Sequence, residues 1–174
     1  VSAAVRNGVV GIVSLVALAD DSQVTFNSTS STFHTLSVQA DSGIMVNTDI
    51  SSSVTSIYLD ADADDSGIGD IPNNIMIADG RMVSARTLLT LEATSGSIVP
   101  AGSLTLKAGS GVVMLDTMTG GAVSKALVIN ADYDSAGDGS LTVATGKTVT
   151  SNKADITITA WDVDLDGSMT AGTM

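Results

Sequence analysis

Apolar and polar residues alternate along this chain in short bursts, and no window carries a helical period. Leu104-Thr-Leu, Leu141-Thr-Val and Ile156-Thr-Ile each put two aliphatic side chains on one face and a hydroxyl on the other. That period of two is the signature of a strand. Gly, Ser, Asn and Asp divide the bursts every few residues and mark turns. Many short strands at even spacing admit a sandwich, a barrel or a solenoid. Alanine follows many of the triplets, at Ala40, Ala61, Ala93, Ala108, Ala131 and Ala160. A coil turning a corner keeps its inward side chain small, so these positions suit a solenoid.

The pattern also repeats at long range. Leu36-x-Val38-x-Ala40-x-x-Gly43 returns 68 residues later as Leu104-x-Leu106-x-Ala108-x-x-Gly111. "IYLDADADDSGIGDI" from Ile57 returns 70 residues on as "LVINADYDSAGDGSL" from Leu127. Asp62, Asp64, Gly67 and Gly69 thereby reappear as Asp132, Asp134, Gly137 and Gly139. "IADGRMV" returns as "VATGKTV", and "LTLEA" as "ITITA". Two tandem copies result, at about 36–100 and 104–172. A unit of roughly seventy residues divides into about three coils of some twenty residues each, within the range of stacked repeats.

The stretch "GSLTVATGKTVTSNKADITITAWDVDLDGSMTAGT" resembles the repeats of large bacterial surface proteins of the filamentous-haemagglutinin and autotransporter-adhesin kind. The resemblance covers roughly 33–173 and rests on a strand triplet, a Gly turn, Asp-x-Asp and Ala-Gly-Thr. It implies an all-β, right-handed parallel β-helix, with a β-sandwich as the alternative. It also implies a non-enzymatic module of a cell-surface adhesin or of a self-assembling extracellular filament, joined head to tail and presented to host-cell or matrix glycans.

Residues 1–32 depart from this pattern. They are expected to form an N-terminal β-segment, a cap or an inter-subunit strand, ahead of a solenoid at 33–174. "VRNGVVGIVSLVALADD" offers Arg6, an apolar run from Val9 to Val16, and a small-x-small triplet at Ala17-Leu18-Ala19, the features of a secretory signal. The run is too short to span a bilayer as a helix, and a buried β-segment is the preferred reading.

Composition sharpens this picture. Aromatic residues make up 3% of the chain while 44% is hydrophobic and 17 residues are glycine, which suits thin layers of small and β-branched side chains. The net charge is −12, and Glu92 is the sole glutamate among 19 acidic residues. Aspartate disfavours helices and favours turns and calcium. Seven Lys and Arg residues, scattered singly, exclude a nucleic-acid partner. Without cysteine there is no disulfide framework.

Three acidic clusters are the candidate metal ligands: Asp60-Asp62-Asp64-Asp65, Asn130-Asp132-Asp134-Asp138, and Asp162-Asp164-Asp166. The last matches the first half of an EF-hand loop, but position twelve falls on Thr173, which cannot supply the bidentate acid. Alternate carboxylates on one strand lie about 6.8 Å apart, too far to share an ion at about 2.4 Å. Calcium therefore needs either a chain that curls at Gly67 or Gly137, or carboxylates on adjacent coils about 4.8 Å apart. The expected cofactor is calcium, held best by the repeated Asp62/Asp64 and Asp132/Asp134 loops.

A calcium-dependent β-helix that binds or cleaves polysaccharide is the alternative function. Against it, Arg81, Arg86, Lys107, Lys125, Lys147 and Lys153 fall at turn-like positions without clustering, and Tyr58, Tyr133 and Trp161 are sparse for a sugar platform. No catalytic triad, Walker loop or dinucleotide fingerprint occurs, and His34 stands alone. The seven methionines, among them Met45, Met76, Met82 and Met114, are expected as filler inside the coils. The pairs Thr148/Thr150 and Thr157/Thr159 are too few for a flat ice-binding array.

Overall fold

The computed structural model describes residues 9–67, 72–120 and 122–171. Arg6, Gly69 and Thr173 of the sequence reading lie outside the described residues. The first coil is β1 (Ile12–Ala17), β2 (Val24–Phe26) and β3 (Ser31–Phe33). The second is β4 (Thr35–Ala40), β5 (Ile44–Val46) and β6 (Ile50–Ser52), and the third is β7 (Ile57–Asp60), β8 (Ile75–Ile77) and β9 (Arg81–Ala85). The fourth holds β10 (Leu88–Glu92), β11 (Ile98–Pro100) and β12 (Leu104–Ala108). The fifth holds β13 (Gly111–Met114), β14 (Met118–Thr119) and β15 (Leu127–Asn130). The sixth is β16 (Ser140–Val143), β17 (Thr148–Thr150) and β18 (Ile156–Thr159), followed by β19 (Asp162–Leu165) and β20 (Ser168–Thr170).

Each strand pairs in parallel with the strand three places further along the chain. The result is three sheets: a seven-stranded sheet A from β1 to β19, a seven-stranded sheet B from β2 to β20, and a six-stranded sheet C from β3 to β18. The chain is a parallel β-helix. A β-sandwich pairs strands antiparallel, and none of the ladders here does so.

Register explains the core. In sheet A, Val13, Leu36, Ile57, Leu89, Val112, Leu141 and Val163 form one inward column. Leu15, Val38, Leu59, Leu91, Met114, Val143 and Leu165 form a second. In sheet B the column runs Val24, Ile44, Ile75, Ile98, Met118, Val149, Met169. Like stacks on like, so a residue type that fits one coil fits the next, and the middle members are fully buried. Each such side chain contributes about 1.5–3 kcal/mol by leaving water. Phe26 and Phe33, the two phenylalanines, pack edge to face at 6.3 Å within the first coil.

Corner alanines behave as the sequence implied. Ala40, Ala61 and Ala93 close the sheet A strands, Ala108 and Ala131 close sheet C strands, and all five are wholly buried, while Ala160 in the last coil is half-buried. Residues 12–32, set apart in the sequence, occupy most of the first coil: β1 pairs along its length with β4, β2 with β5 and β3 with β6. Two methionine positions match the expectation of interior filler, Met114 and Met118. Met45, Met76 and Met82 instead sit at outward strand positions and are half-buried, because strand alternation decides their side.

The sequence repeat has an unexpected phase. β4 corresponds to β12, β7 to β15, β8 to β16, β9 to β17 and β10 to β18, a shift of eight strands each time. Three strands complete a coil, so eight strands advance the chain by two coils and two further faces. A sheet A strand of the first copy therefore maps to sheet C in the second, and a sheet B strand to sheet A. Coil length also varies: Leu36 neighbours Ile57, but Ile57 neighbours Leu89, and Val112 neighbours Leu141. The extra residues fall in the two acidic loops.

Candidate functional site: two acidic corners

The repeat phase separates the two loops. The first leaves β7 at the corner from sheet A to sheet B, and the second leaves β15 at the corner from sheet C to sheet A. Neither stacks on the other, so carboxylates of the two copies do not bracket an ion between adjacent coils.

In the first loop, Asp60 ends β7 and lies directly beside Glu92 of β10. The Tyr58 hydroxyl reaches Glu92 Oε2 at 2.5 Å and Asp60 Oδ2 at 3.2 Å. Burial, then the Glu92 hydrogen bond and the two neighbouring carboxylates, push the Tyr58 phenol well above its ordinary range. It therefore stays protonated at any physiological pH, with its one hydrogen directed to Glu92, the nearer of the two acceptors. Asp60 Oδ1 accepts the Asp62 amide at 3.3 Å. Asp62 is completely shielded from solvent; its Oδ1 accepts from Asn73 Nδ2 at 3.2 Å and its Oδ2 from the Ser95 amide at 2.5 Å. Asp64 and Asp65 point to solvent, Asp64 capping the Ser66 amide at 3.0 Å and Asp65 taking a left-handed backbone with φ of 58°. The four acids of this cluster thus do not gather on one point.

The second loop does gather acids. Carboxylate oxygens of Asp132, Asp134 and Asp138 lie within 4.8 Å of one another, the first sheltered and the others exposed. Gly137, with φ of 78°, makes the turn that allows this, and its amide donates to Asp132 Oδ1 at 3.3 Å. The Trp161 ring lies against Gly137, where a Cβ would meet it at 3.3 Å. Asn130 stands one strand position earlier, between Lys107 and Thr159 on the outer face of sheet C. Asp134 is also ion-paired: Arg86 Nη1 contacts its Oδ2 at 2.6 Å.

Three coils contribute to a platform of cations on an aromatic ring, beside these acids, that the sequence did not reveal. The Arg86 guanidinium lies 5.9 Å and the Lys107 ammonium 4.9 Å from the Tyr133 ring centre, both within cation–π range. Expected to fall singly, these cations meet because Arg86, Lys107 and Tyr133 occupy neighbouring coils. The signal was present as a spacing, since Ser84, Lys107 and Asn130 are direct register partners, but it is readable only once each coil's length is known.

Comparison of the chain with family models, with curated proteins and with solved structures finds no match.

The third cluster is a strand and nothing more elaborate. Asp162 and Asp164 face outward from β19 beside Ser140 and Thr142, and Asp162, Asp164 and Asp166 are all exposed. Val163 and Leu165 occupy the inward columns but remain 48% and 44% exposed, because no described strand lies beyond β19 in sheet A. His34 sits at the turn between β3 and β4 with a buried, unpartnered Nδ1. Among the described residues no helix is long and apolar enough to cross a membrane.

Proposed function

We propose that this chain is a non-enzymatic structural module, a stiff β-helical segment of a bacterial cell-surface adhesin or of a self-assembling extracellular filament, stabilised by calcium. One observation carries the assembly: the inward columns run without interruption to both ends of the described stack, where they are uncovered. At one end Val163, Leu165 and Ile158 are exposed, and at the other Val13 and Leu15 are only half-covered. All strands run parallel, so a second copy set head to tail extends every sheet in its own direction and covers these side chains. Such contact does not close on itself and makes a fibre. The expected result is concentration-dependent fibres in electron micrographs of the purified chain, abolished by Val163→Asp with Leu165→Asp. A wild-type chain that stays monomeric at high concentration would overturn the reading.

A second reading, calcium-dependent binding or cleavage of an acidic polysaccharide, is favoured by the platform of Arg86, Lys107 and Tyr133. Cations on an aromatic ring suit the carboxylates of a uronate chain. Lys107→Ala is then expected to weaken binding of polygalacturonate about tenfold in a pull-down titration, and reducing ends would appear if the chain cleaves it. No retention of the polymer by the wild-type chain excludes this reading while leaving the first untouched.

A further inference from the structure

Trp161 is the one tryptophan of the chain. It occupies the corner between β18 and β19, the last turn from sheet C to sheet A among the described residues, and is 71% exposed. Its backbone amide donates to the Gly139 carbonyl at 2.8 Å, which ties the residue to the coil below. One side of the ring lies against Gly137, and most of the indole is left to water. Few side chains offer so much apolar area, and covering it is a strong driving force for association.

The opposite end of the stack carries a hollow. A cavity of about 360 Å³ is walled by Val9, Val10, Val13, Phe33, His34 and Val54, where sheet C turns into sheet A in the first two coils. Val9, Val10 and Val54 are exposed, so these walls are apolar surface open to water. Gly11 stands among them in the chain, and a Cβ there would meet nothing within 4 Å. Register joins the two features. Val13 and Val163 are the first and last members of one inward column of sheet A. A second copy that sets its Val13 upon Val163 also sets its Gly11, two residues earlier, upon Trp161. Within one copy those positions lie six coil steps apart, about 29 Å, so a chain cannot fill its own hollow with its own indole.

We propose that Trp161 is the knob, and the cavity beside Gly11 the socket, of the joint between successive copies: the indole of one chain seats among Val9, Val10, Val13 and Val54 of the next. The proposal rests on the head-to-tail assembly proposed above and gives that joint its anchor and its register. An aromatic side chain in a pocket, ringed by contacts that exclude water, is the usual make-up of an interface hot spot. Glycine at position 11 leaves the ring its space, which any side chain there would enter. A slip of two residues keeps every apolar side chain on its inward face, yet it sets Trp161 on Val9 or Val13 instead of on glycine. The indole therefore separates the correct register from its nearest competitors, which strand alternation alone does not do. In this register Asp162, Asp164 and Asp166 meet Ile12, Ser14 and Val16 of the next copy, so no acid is stacked on an acid.

The single tryptophan is its own reporter. As the intact chain is concentrated into the range where fibres form, Trp161 emission is expected to shift to the blue and its quenching by acrylamide to fall several-fold. Trp161→Ala and Val54→Arg, both at exposed positions, are expected to keep the circular dichroism of the wild type. Each is expected to raise the concentration needed for fibres by at least about tenfold. The two variants damage opposite ends, so an equimolar mixture forms one intact joint and stops at a heterodimer in sedimentation velocity, a species that neither variant gives alone. Wild-type fibres whose Trp161 stays open to acrylamide, or Trp161→Ala fibres at the wild-type concentration, overturn the knob and leave the head-to-tail reading standing. A mixture without heterodimer, where the wild type makes fibres, does the same. An indole already shielded in dilute monomer shows that the chain covers its own ring, which also overturns the proposal. A wild type that never assembles overturns both.

Discussion

Leu91→Ala is expected to lower the stability of the folded chain by about 3 kcal/mol, within the range for deleting a buried leucine. Leu91 has no exposed surface and stands in its column between Leu59 of the coil before and Met114 of the coil after. Those neighbours are held at the hydrogen-bonding distance of adjacent strands, about 4.8 Å. They cannot slide together to fill the space, so the cavity persists and its cost is added to the lost transfer energy. Val163→Ala, in the neighbouring column but 48% exposed, is expected to cost under about 1 kcal/mol. Urea midpoints at matched slope measure both. Equal losses at the two positions would contradict the burial gradient along the stack.

The second large effect is electrostatic. Lys147→Met is expected to cost about 3 kcal/mol, because it strands the Asp116 carboxylate in a site where its side chain is 5% exposed. Asp116 Oδ1 meets the Lys147 ammonium, while Oδ2 accepts the Ala93 amide of the coil before at 2.7 Å. Its place at the end of a sheet A strand is one that alanine fills in earlier coils, which explains why the carboxylate is buried. Adding Asp116→Asn to Lys147→Met removes the stranded charge and keeps an acceptor for the Ala93 amide. Most of the loss is therefore expected to be recovered in the double variant. A cost below about 0.5 kcal/mol for Lys147→Met alone would place this pair with ordinary surface ion pairs.

Much of the architecture was legible because it depends on local rules. The alternation in "LTLKA" and "ITITA" and the small residue that ends each strand are consequences of strand pleat and of a crowded corner, and neither needs a partner to be known. The parallel stacking followed from repetition. The phase of the repeat was not legible, since no residue states how many strands make one coil. Methionines were misplaced for a related reason: apolar character suggested the interior for Met45 and Met76, whereas alternation with Ile44 and Ile75 turns them outward.

The chemistry was less legible than the fold. Aspartates announce themselves, and Asp62 and Asp132 were found as residues. Their surroundings were not, because the groups that decide their behaviour are neutral or belong to another coil. Asn73 and Ser95 carry no charge to attract notice. Ser95 meets Asp62 because β10 pairs with β7, a register set by where the chain returns to its column. Arg86, Lys107 and Tyr133 were hidden in the same way, each unremarkable alone and adjacent only after the chain is wound.

The mismatch between eight strands per repeat and three per coil has a geometric consequence. Each repeat ends one face out of step with the one before, as a thread does on a bolt whose marks are spaced unevenly with its pitch. A rod continued by such repeats would show its Asp-x-Asp loop at three azimuths in turn, returning to the first after three repeats. A partner approaching from any side would then meet the same loop, so contact with a surface would not depend on how the rod had rolled.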